Sequence, residues 1–335
     1  MEKPADHPPV AKPRIGVLLV NLGTPDAATP GAVKRYLREF LSDRRVVELP
    51  PLLWQPILRG VVLNTRPRKS AHAYGQIWTD DGSPLDAITR AQVRRLANSF
   101  GPDVTVDFAM RYGKPSIAEK LNALKAMGCD RILIAPLYPQ YSGATTATVN
   151  DKAFETLATM RWQPAIRTLP PYHDDPAYIA ALKVSIEASI ALLDFHPEVI
   201  LASFHSMPEA TLFKGDPYHC QCQKTARLLS AALDRELVVS FQSKLGRAKW
   251  LGPPTEATLA RLASEGVRSL AVVTPGFSAD NLETLEEIAI RGKETFIAAG
   301  GKSFACLPCL NDSDTGIEML RILLGRELEG WALPV

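Results

Sequence analysis

With 335 residues the chain exceeds what one hydrophobic core usually supports, so two domains are expected. Hydrophobic residues make up 46% and charged residues 22%, a composition that excludes a largely disordered chain. A net charge of +2 with no long Lys/Arg run gives no ground for a nucleic-acid partner.

Residues 1–13 are polar and Pro-rich without an apolar segment, and read as a disordered tail, not a signal peptide. No run approaches the roughly 18 apolar residues a spanning helix needs, so a cytoplasmic protein is expected. The first strand is predicted over 15–22. After it comes an apolar stretch, 49–62, broken by Pro50, Pro51 and Pro56 and edged by Arg44, Arg45, Arg59 and Arg66. Further strands are predicted over 104–110 and 131–137, then over 199–204, 237–241 and 269–274. Helical patterns lie between them, which is the signature of βαβ units and parallel sheets.

The halves echo one another. Leu121, Leu124 and Gly128 precede one strand as Leu259, Leu262 and Gly266 precede another, each Gly standing where a helix needs a left-handed C-terminal residue. Two similar doubly wound domains explain this, although a common helix-to-strand connector repeated by chance gives the same pattern. The Pro- and Asp-rich segment 166–178 is the expected crossover.

Ligands in such sheets bind beyond the carboxyl ends of the strands. That rule selects 21–25, 111–112, 139–146, 205–208, 242–246 and 275–280. No G-x-G-x-x-G follows the first strand and no Walker A lysine motif occurs, so a nucleotide cofactor is unsupported.

Of six histidines, only His205 stands directly at the end of an apolar strand. A neutral imidazole there can accept a proton or bind a metal, but a hydrogen-bonded structural histidine fits the same position. His173 and His219, beside Asp and Cys in expected loops, are weaker ligand candidates. After the last strand, Asp280 and Glu283 have the spacing of a helix capping box, while Glu283 and Glu287 share a helical face. If that face lines a cleft opposite His205, a base meets hard oxygen ligands suited to a divalent cation. Cys220, Cys222, Cys306 and Cys309 could supply four thiolates to a metal or cluster, or be reduced thiols that happen to cluster; Cys129 stands apart.

At these segments the chain resembles the ferrochelatase family, from Ile15 to about Leu324. The similarity is carried in order by Val20-Asn21-Leu22-Gly23-Thr24-Pro25, Gly82-Ser83-Pro84-Leu85, Arg111-Tyr112-Gly113 and Pro136-Leu137-Tyr138-Pro139-Gln140-Tyr141-Ser142. Ser203-Phe204-His205-Ser206-Met207-Pro208, Lys214-Gly215-Asp216-Pro217-Tyr218, Phe241-Gln242-Ser243-Lys244 and Trp250-Leu251-Gly252-Pro253 continue it. The most specific piece runs from Pro275 to Glu287.

The resemblance implies two Rossmann-like doubly wound domains with parallel sheets and a porphyrin cleft between them. It implies a protoporphyrin ferrochelatase (a lyase) that inserts ferrous iron into protoporphyrin IX with release of two protons. His205 would take the pyrrole protons, Glu283 would face it, and Glu287 would be the next acid on the metal or proton path. Asn21, Leu22, Tyr74, Ser83, Arg111, Tyr112 and Trp250 would line the substrate cleft. The implied division is 14–170 with a lip at about 38–66, then 171–312. A C-terminal helix and tail, 313–335, would pack back on the first domain.

The lip would touch a membrane surface with its arginines toward anionic headgroups. The partners are thus a porphyrin and iron, with the chain a monomer or homodimer, cytoplasmic or peripheral on the inner membrane face. No resident cofactor is required. Gly143 stands where animal relatives supply a cluster cysteine, which disfavours their 2Fe–2S arrangement. Ser206 stands where many bacterial members have Gly, and Asn281 where relatives carry His or Cys. A coproporphyrin ferrochelatase is the near alternative. A non-catalytic tetrapyrrole-binding protein would not need the acid pair.

Overall fold

The structure, a computed structural model, describes residue 6 and residues 12–244 and 248–331. Most of the expected N-terminal tail, the end of the segment 242–246 and residues 332–335 lie outside the described residues. Among the described residues, eight strands form two four-stranded sheets. The first contains β1 (Arg14–Gly23), β2 (Val104–Tyr112), β3 (Cys129–Pro136) and β4 (Ala165–Thr168) in the order β2-β1-β3-β4. The second contains β5 (Val199–His205), β6 (Leu237–Gln242), β7 (Ser269–Val273) and β8 (Ser303–Cys306) in the order β6-β5-β7-β8. Every pairing is parallel, and the two orders are equivalent. The expected pair of doubly wound sheets is therefore present, and the sequence echo marks a repeated fold. Gly128 and Gly266, at φ +92° and +106°, both end a helix in the left-handed region as the pattern required.

The strands read as apolar runs because both sheet faces are covered. Leu18 and Val20 on one face of β1 join Ile132 and Ile134 in a core beneath the first sheet, and Leu201, Leu270 and Val272 sit in the matching core of the second. The opposite faces, with Val17, Leu19, Leu133, Ala202, Phe204 and Val273, belong to one continuous core that joins the sheets. Helices Pro176–Ala191 and Tyr218–Leu233 fill that core with Tyr178, Leu182, Cys222 and Leu229. Helix Asp314–Leu328 also enters it, packing against helices Pro84–Leu96 and Pro176–Ala191 and touching β3.

Two strands were not predicted. β4 and β8 are four-residue edge strands, only partly covered, so they carry neither a continuous apolar run nor a clear alternation. β4 takes the start of the segment expected to be the crossover, and the chain passes toward the second sheet only after Thr168.

The apolar stretch after β1 is a helix, Pro51–Ile57, followed by a wide turn, Leu58–Val62, and helix Leu63–Ile77. Leu58 and Leu63 are buried against Leu41, and the Trp54 indole donates to the Leu41 carbonyl at 2.6 Å. Leu52 is 90% exposed and Leu53 63%, with Leu49, Ile57 and Val61 also in solvent. No described helix is long and apolar enough to cross a membrane.

Candidate active site

In each sheet the strand order turns at one pair, β1/β3 and β5/β7, and a crevice opens beyond the carboxyl ends of such a pair. Here the two crevices meet. Gln140, just past β3, donates to the Pro275 carbonyl just past β7 at 3.1 Å, and Ser278 donates to the Leu137 carbonyl at 2.9 Å. Asp216 fastens the same edge, accepting from Gly143 N at 2.7 Å and Ser142 Oγ at 3.1 Å.

His205 is the last residue of β5 and stays half-buried at this junction. Its Nδ1 lies 2.6 Å from the Ser206 carbonyl oxygen. A carbonyl only accepts, so in the neutral ring Nδ1 carries the proton and Nε2 keeps a lone pair. Ser206 is held in turn, its N–H donating to the Gln242 carbonyl at 2.7 Å and its hydroxyl to the Leu251 carbonyl at 2.8 Å. Trp250, beside Leu251, bridges to Pro208, and its buried indole N–H has no partner among the described residues.

The acids lie on helix Glu283–Gly292, which is wound with wide π turns, a geometry often found at functional sites. Its cap differs from the expected one. Asn281 Oδ1 accepts from Thr284 N and Asn281 N donates to Thr284 Oγ1, both at 3.1 Å, so the reciprocal box is Asn281–Thr284. Asp280 is buried and accepts from Asn311 Nδ2 at 2.6 Å and Thr284 Oγ1 at 2.8 Å, which fixes the loop after β8.

The three glutamates have separate fates. Glu286 pairs with Arg291 at 2.9 Å. Glu287 accepts from Ser243 N at 2.7 Å and Ser243 Oγ at 2.5 Å. The Glu283 carboxyl makes no hydrogen bond or ion pair to any other described residue; its one contact is with its own backbone N–H. Burial pushes its pKa up, the charge of His205 and then that backbone contact pull it down, and Glu287 and Glu286 add to the rise. His205 and Glu283 thus act on one another without forming a salt bridge, an unoccupied base facing an unoccupied acid. Tyr36 and Tyr74 approach Glu283 from the first half of the chain; both phenols are held protonated, by burial first and by the Glu283 charge as well. Tyr74 packs with Leu282 and Leu285, so helix Leu63–Ile77 closes one side of the crevice against the acid helix.

The other predicted cleft residues divide. Leu22 is half-exposed at the end of β1. Asn21 turns inward to Thr89 at 3.3 Å, and Ser83 accepts from Thr24 at 2.9 Å, so both polar groups are spent on fastening β1 to helix Pro84–Leu96. Arg111 and Tyr112 are tied to Asp43 and Thr148. Tyr112 donates to Asp43 at 2.8 Å, Arg111 Nε donates to Thr148 Oγ1 at 2.7 Å, and the Arg111 guanidinium pairs with Asp43.

The cysteines do not assemble. Cys220 is exposed and Cys222 buried on helix Tyr218–Leu233, while Cys306 and Cys309 lie at and after β8. Among the described residues no group of three or more His, Cys, Asp or Glu is placed to hold a metal ion. Burial pushes the Cys306 thiol up to about 12 and those of Cys222 and Cys309 well above their ordinary range. Protonated, separated thiols do not fit an iron–sulfur cluster. His219 lies on a helix, not in a loop, stacked on Phe241, and His173 is half-screened beside Asp174.

Sequence patterns alone left Gln242, Ser243, Tyr36 and Asp43 without a role. Only Gln242 and Ser243 carried a signal, standing in a family-like motif at the end of a strand.

The model of the family described as Ferrochelatase matches residues 14–328. The Ferrochelatase of Rhizobium meliloti is 58% identical over 99% of this chain and 100% of its own length. That of Methylocella silvestris is 52% identical over 97% of each chain. Among solved structures, SirB from Bacillus subtilis with Fe3+ superposes with a TM-score of 0.56 at 12% identity, covering 95% of this chain and 96% of SirB. CbiX, the terminal enzyme for biosynthesis of siroheme in denitrifying bacteria, gives 0.52 at 13% identity, covering 94% of this chain and all of CbiX. Those two likenesses speak to the fold alone.

Proposed function

The chain belongs to the ferrochelatase family, and we propose that it is the member that uses protoporphyrin IX and ferrous iron, with His205 and Glu283 as its reacting groups. It is a metal chelatase that inserts iron into a porphyrin in haem synthesis. The observation that carries the site assignment is the pairing of a free His205 Nε2 lone pair with a Glu283 carboxyl that is bonded to no other described residue.

Two N–H bonds of the macrocycle break as its four nitrogens bind the ion, so two protons must leave for each divalent ion that enters. His205 takes a pyrrole proton at Nε2, becoming imidazolium while Nδ1–H stays on the Ser206 carbonyl. Glu283, whose proton affinity burial has raised, accepts the other proton or hands the cation inward. Glu287, already holding two donors from Ser243, supplies fixed negative charge behind it. Tyr36 and Tyr74 help to keep this side of the crevice dry.

The exposed apolar lip supports protoporphyrin over a substrate with four carboxylates, and also supports peripheral contact with a membrane. Leu52, Leu53, Ile57 and Val61 would enter the interface. Beside the lip, a cleft of about 1080 Å³ presents Arg38, Arg44 and Arg59 without acid partners among the described residues, available for anionic headgroups. Arg45 is not available in this way, since it grips Asp151 at 2.7 and 3.1 Å.

Anaerobic steady-state rates with ferrous iron and each porphyrin test the substrate. Protoporphyrin IX is expected to give the higher kcat/KM, and a preference for coproporphyrin overturns that assignment.

A further inference from the structure

Gln242 is the last residue of β6, is 2% exposed, and lies opposite His205 in the strand register. Its side chain reaches both halves of the reacting pair. Oε1 accepts from Ser203 Oγ at 2.7 Å, two residues before His205 on β5, and Nε2 donates to the main-chain carbonyl of Glu283 at 2.9 Å. Its own carbonyl accepts from Ser206 N at 2.7 Å, next to the carbonyl that sets the His205 tautomer. The direction of these bonds is forced. The Glu283 carbonyl can only accept, so the amide nitrogen must face it and the amide oxygen must face the Ser203 hydroxyl. Ser203 then accepts from Thr255, 2.7 Å away, which is in contact with Ser240 at 2.9 Å. The next residue, Ser243, stands at φ +66° and holds Glu287 through both its N–H and its hydroxyl.

From this we infer that Gln242 is a positioning residue for metal insertion. It fixes the first turn of the acid helix against the strand that carries the base, and so sets the distance between His205 and Glu283. The inference rests on the proposed roles of those two residues. Strand pairing alone cannot do this, since helix Glu283–Gly292 belongs to neither strand and its Asn281–Thr284 cap is local to the helix and ties it to neither β5 nor β6. A buried, fully engaged amide is rigid, and displacement of reacting groups by about 1 Å can cost about 100-fold in rate.

The test compares the parent enzyme with Gln242→Met, which keeps length but not the donor, and Ser203→Ala, which removes the contact orienting the amide. Thermal unfolding, kcat and the KM for porphyrin are measured for each. Gln242→Met is expected to lower kcat about 10- to 100-fold with KM changed less than about twofold. Ser203→Ala should move the same quantities in the same direction by a smaller factor.

A kcat within about twofold of the parent, or a loss confined to KM, overturns the inference. If Gln242→Met does not fold, Ser203→Ala decides by the same criteria. His205→Ala is the control: normal activity in it sinks the underlying site assignment, whereas an inactive His205→Ala beside a normal Gln242→Met sinks only the positioning role.

Discussion

Replacing Asp43 by Ala removes the acceptor at the centre of the strut between helix Pro30–Ser42, β2 and helix Thr148–Ala158. The side chains of Arg111 and Asp43 are 12% and 10% exposed, so the variant leaves a guanidinium buried with no acid partner and takes the acceptor from Tyr112 and Thr148. Breaking a buried ion pair by deleting one member costs about 3–5 kcal/mol, more than the pair itself is worth, because the abandoned charge stays desolvated. Tyr112 and Thr148, 3.4 Å apart, can turn to one another and recover part of the loss.

At roughly 2.1 cal/mol/K per residue, the 335-residue chain unfolds with about 0.7 kcal/mol/K, so about 4 kcal/mol appears as a Tm lowered by about 6 °C. Arg111→Ala should cost less than Asp43→Ala, and the double variant should be less destabilised than the sum of the singles by about 2 kcal/mol or more. Burial alone would raise the Asp43 pKa, but hydrogen bonds from Thr148, Arg45 N and Tyr112 and the charge of Arg111 outweigh it and lower the value. The stability Asp43 confers is therefore present above the ordinary Asp value near ~3.9 and is lost as pH falls through its lower folded value. Denaturant unfolding of the four proteins between pH 7 and pH 3 measures all of this. Additive single losses, or an Asp43→Ala loss below about 1 kcal/mol at pH 7, refute the reasoning.

Glu283→Gln should raise stability at pH 8 and leave it unchanged near pH 4. Because the folded pKa of Glu283 is raised, the parent loses stability as pH rises through it, and the neutral amide does not; equal stability of the two proteins at pH 8 contradicts this. Glu283→Ala should lower kcat more than Glu287→Ala does, since Glu287 is held by Ser243 while Glu283 is free; steady-state rates in the reverse order would exchange the two roles. Leu52→Asp with Leu53→Asp should reduce cosedimentation with anionic vesicles by about tenfold or more while leaving thermal unfolding unchanged, since both side chains are exposed. Unreduced binding would remove the lip from the membrane contact.

Much of this architecture can be read from the chain because β1, β3, β5 and β7 are buried on both faces, and the run Val17-Leu18-Leu19-Val20 has no other explanation than a covered parallel strand. β4 and β8 have no such signature, since they cover only one side of a neighbour and are four residues long. At the site, His205 was visible because a strand end exposes its side chain to the crevice. The difference between Glu283 and Glu287 was not, because it depends on Ser243, 40 residues away in sequence from Glu283 and held in a left-handed conformation. The cap shifted from Asp280 to Asn281 for a similar reason. Asp280 and Glu283 fit the three-residue spacing no better than Asn281 and Thr284, and the choice is made by Asn311, which draws Asp280 inward. Cys220 and Cys222 lie on helix Tyr218–Leu233 and Cys306 and Cys309 at and after β8, and no three of the described His, Cys, Asp or Glu residues converge on a metal position, which spacing in the chain does not reveal.

The central claim is that His205 takes a pyrrole proton through Nε2. Single-turnover metalation of bound porphyrin by ferrous iron, followed anaerobically by absorbance in His205→Ala and in the parent, tests it most directly. The account predicts that the variant binds porphyrin with unchanged stoichiometry and metalates it at least about 100-fold more slowly at pH 7. Metalation at the parent rate in a folded, porphyrin-bound His205→Ala would contradict it.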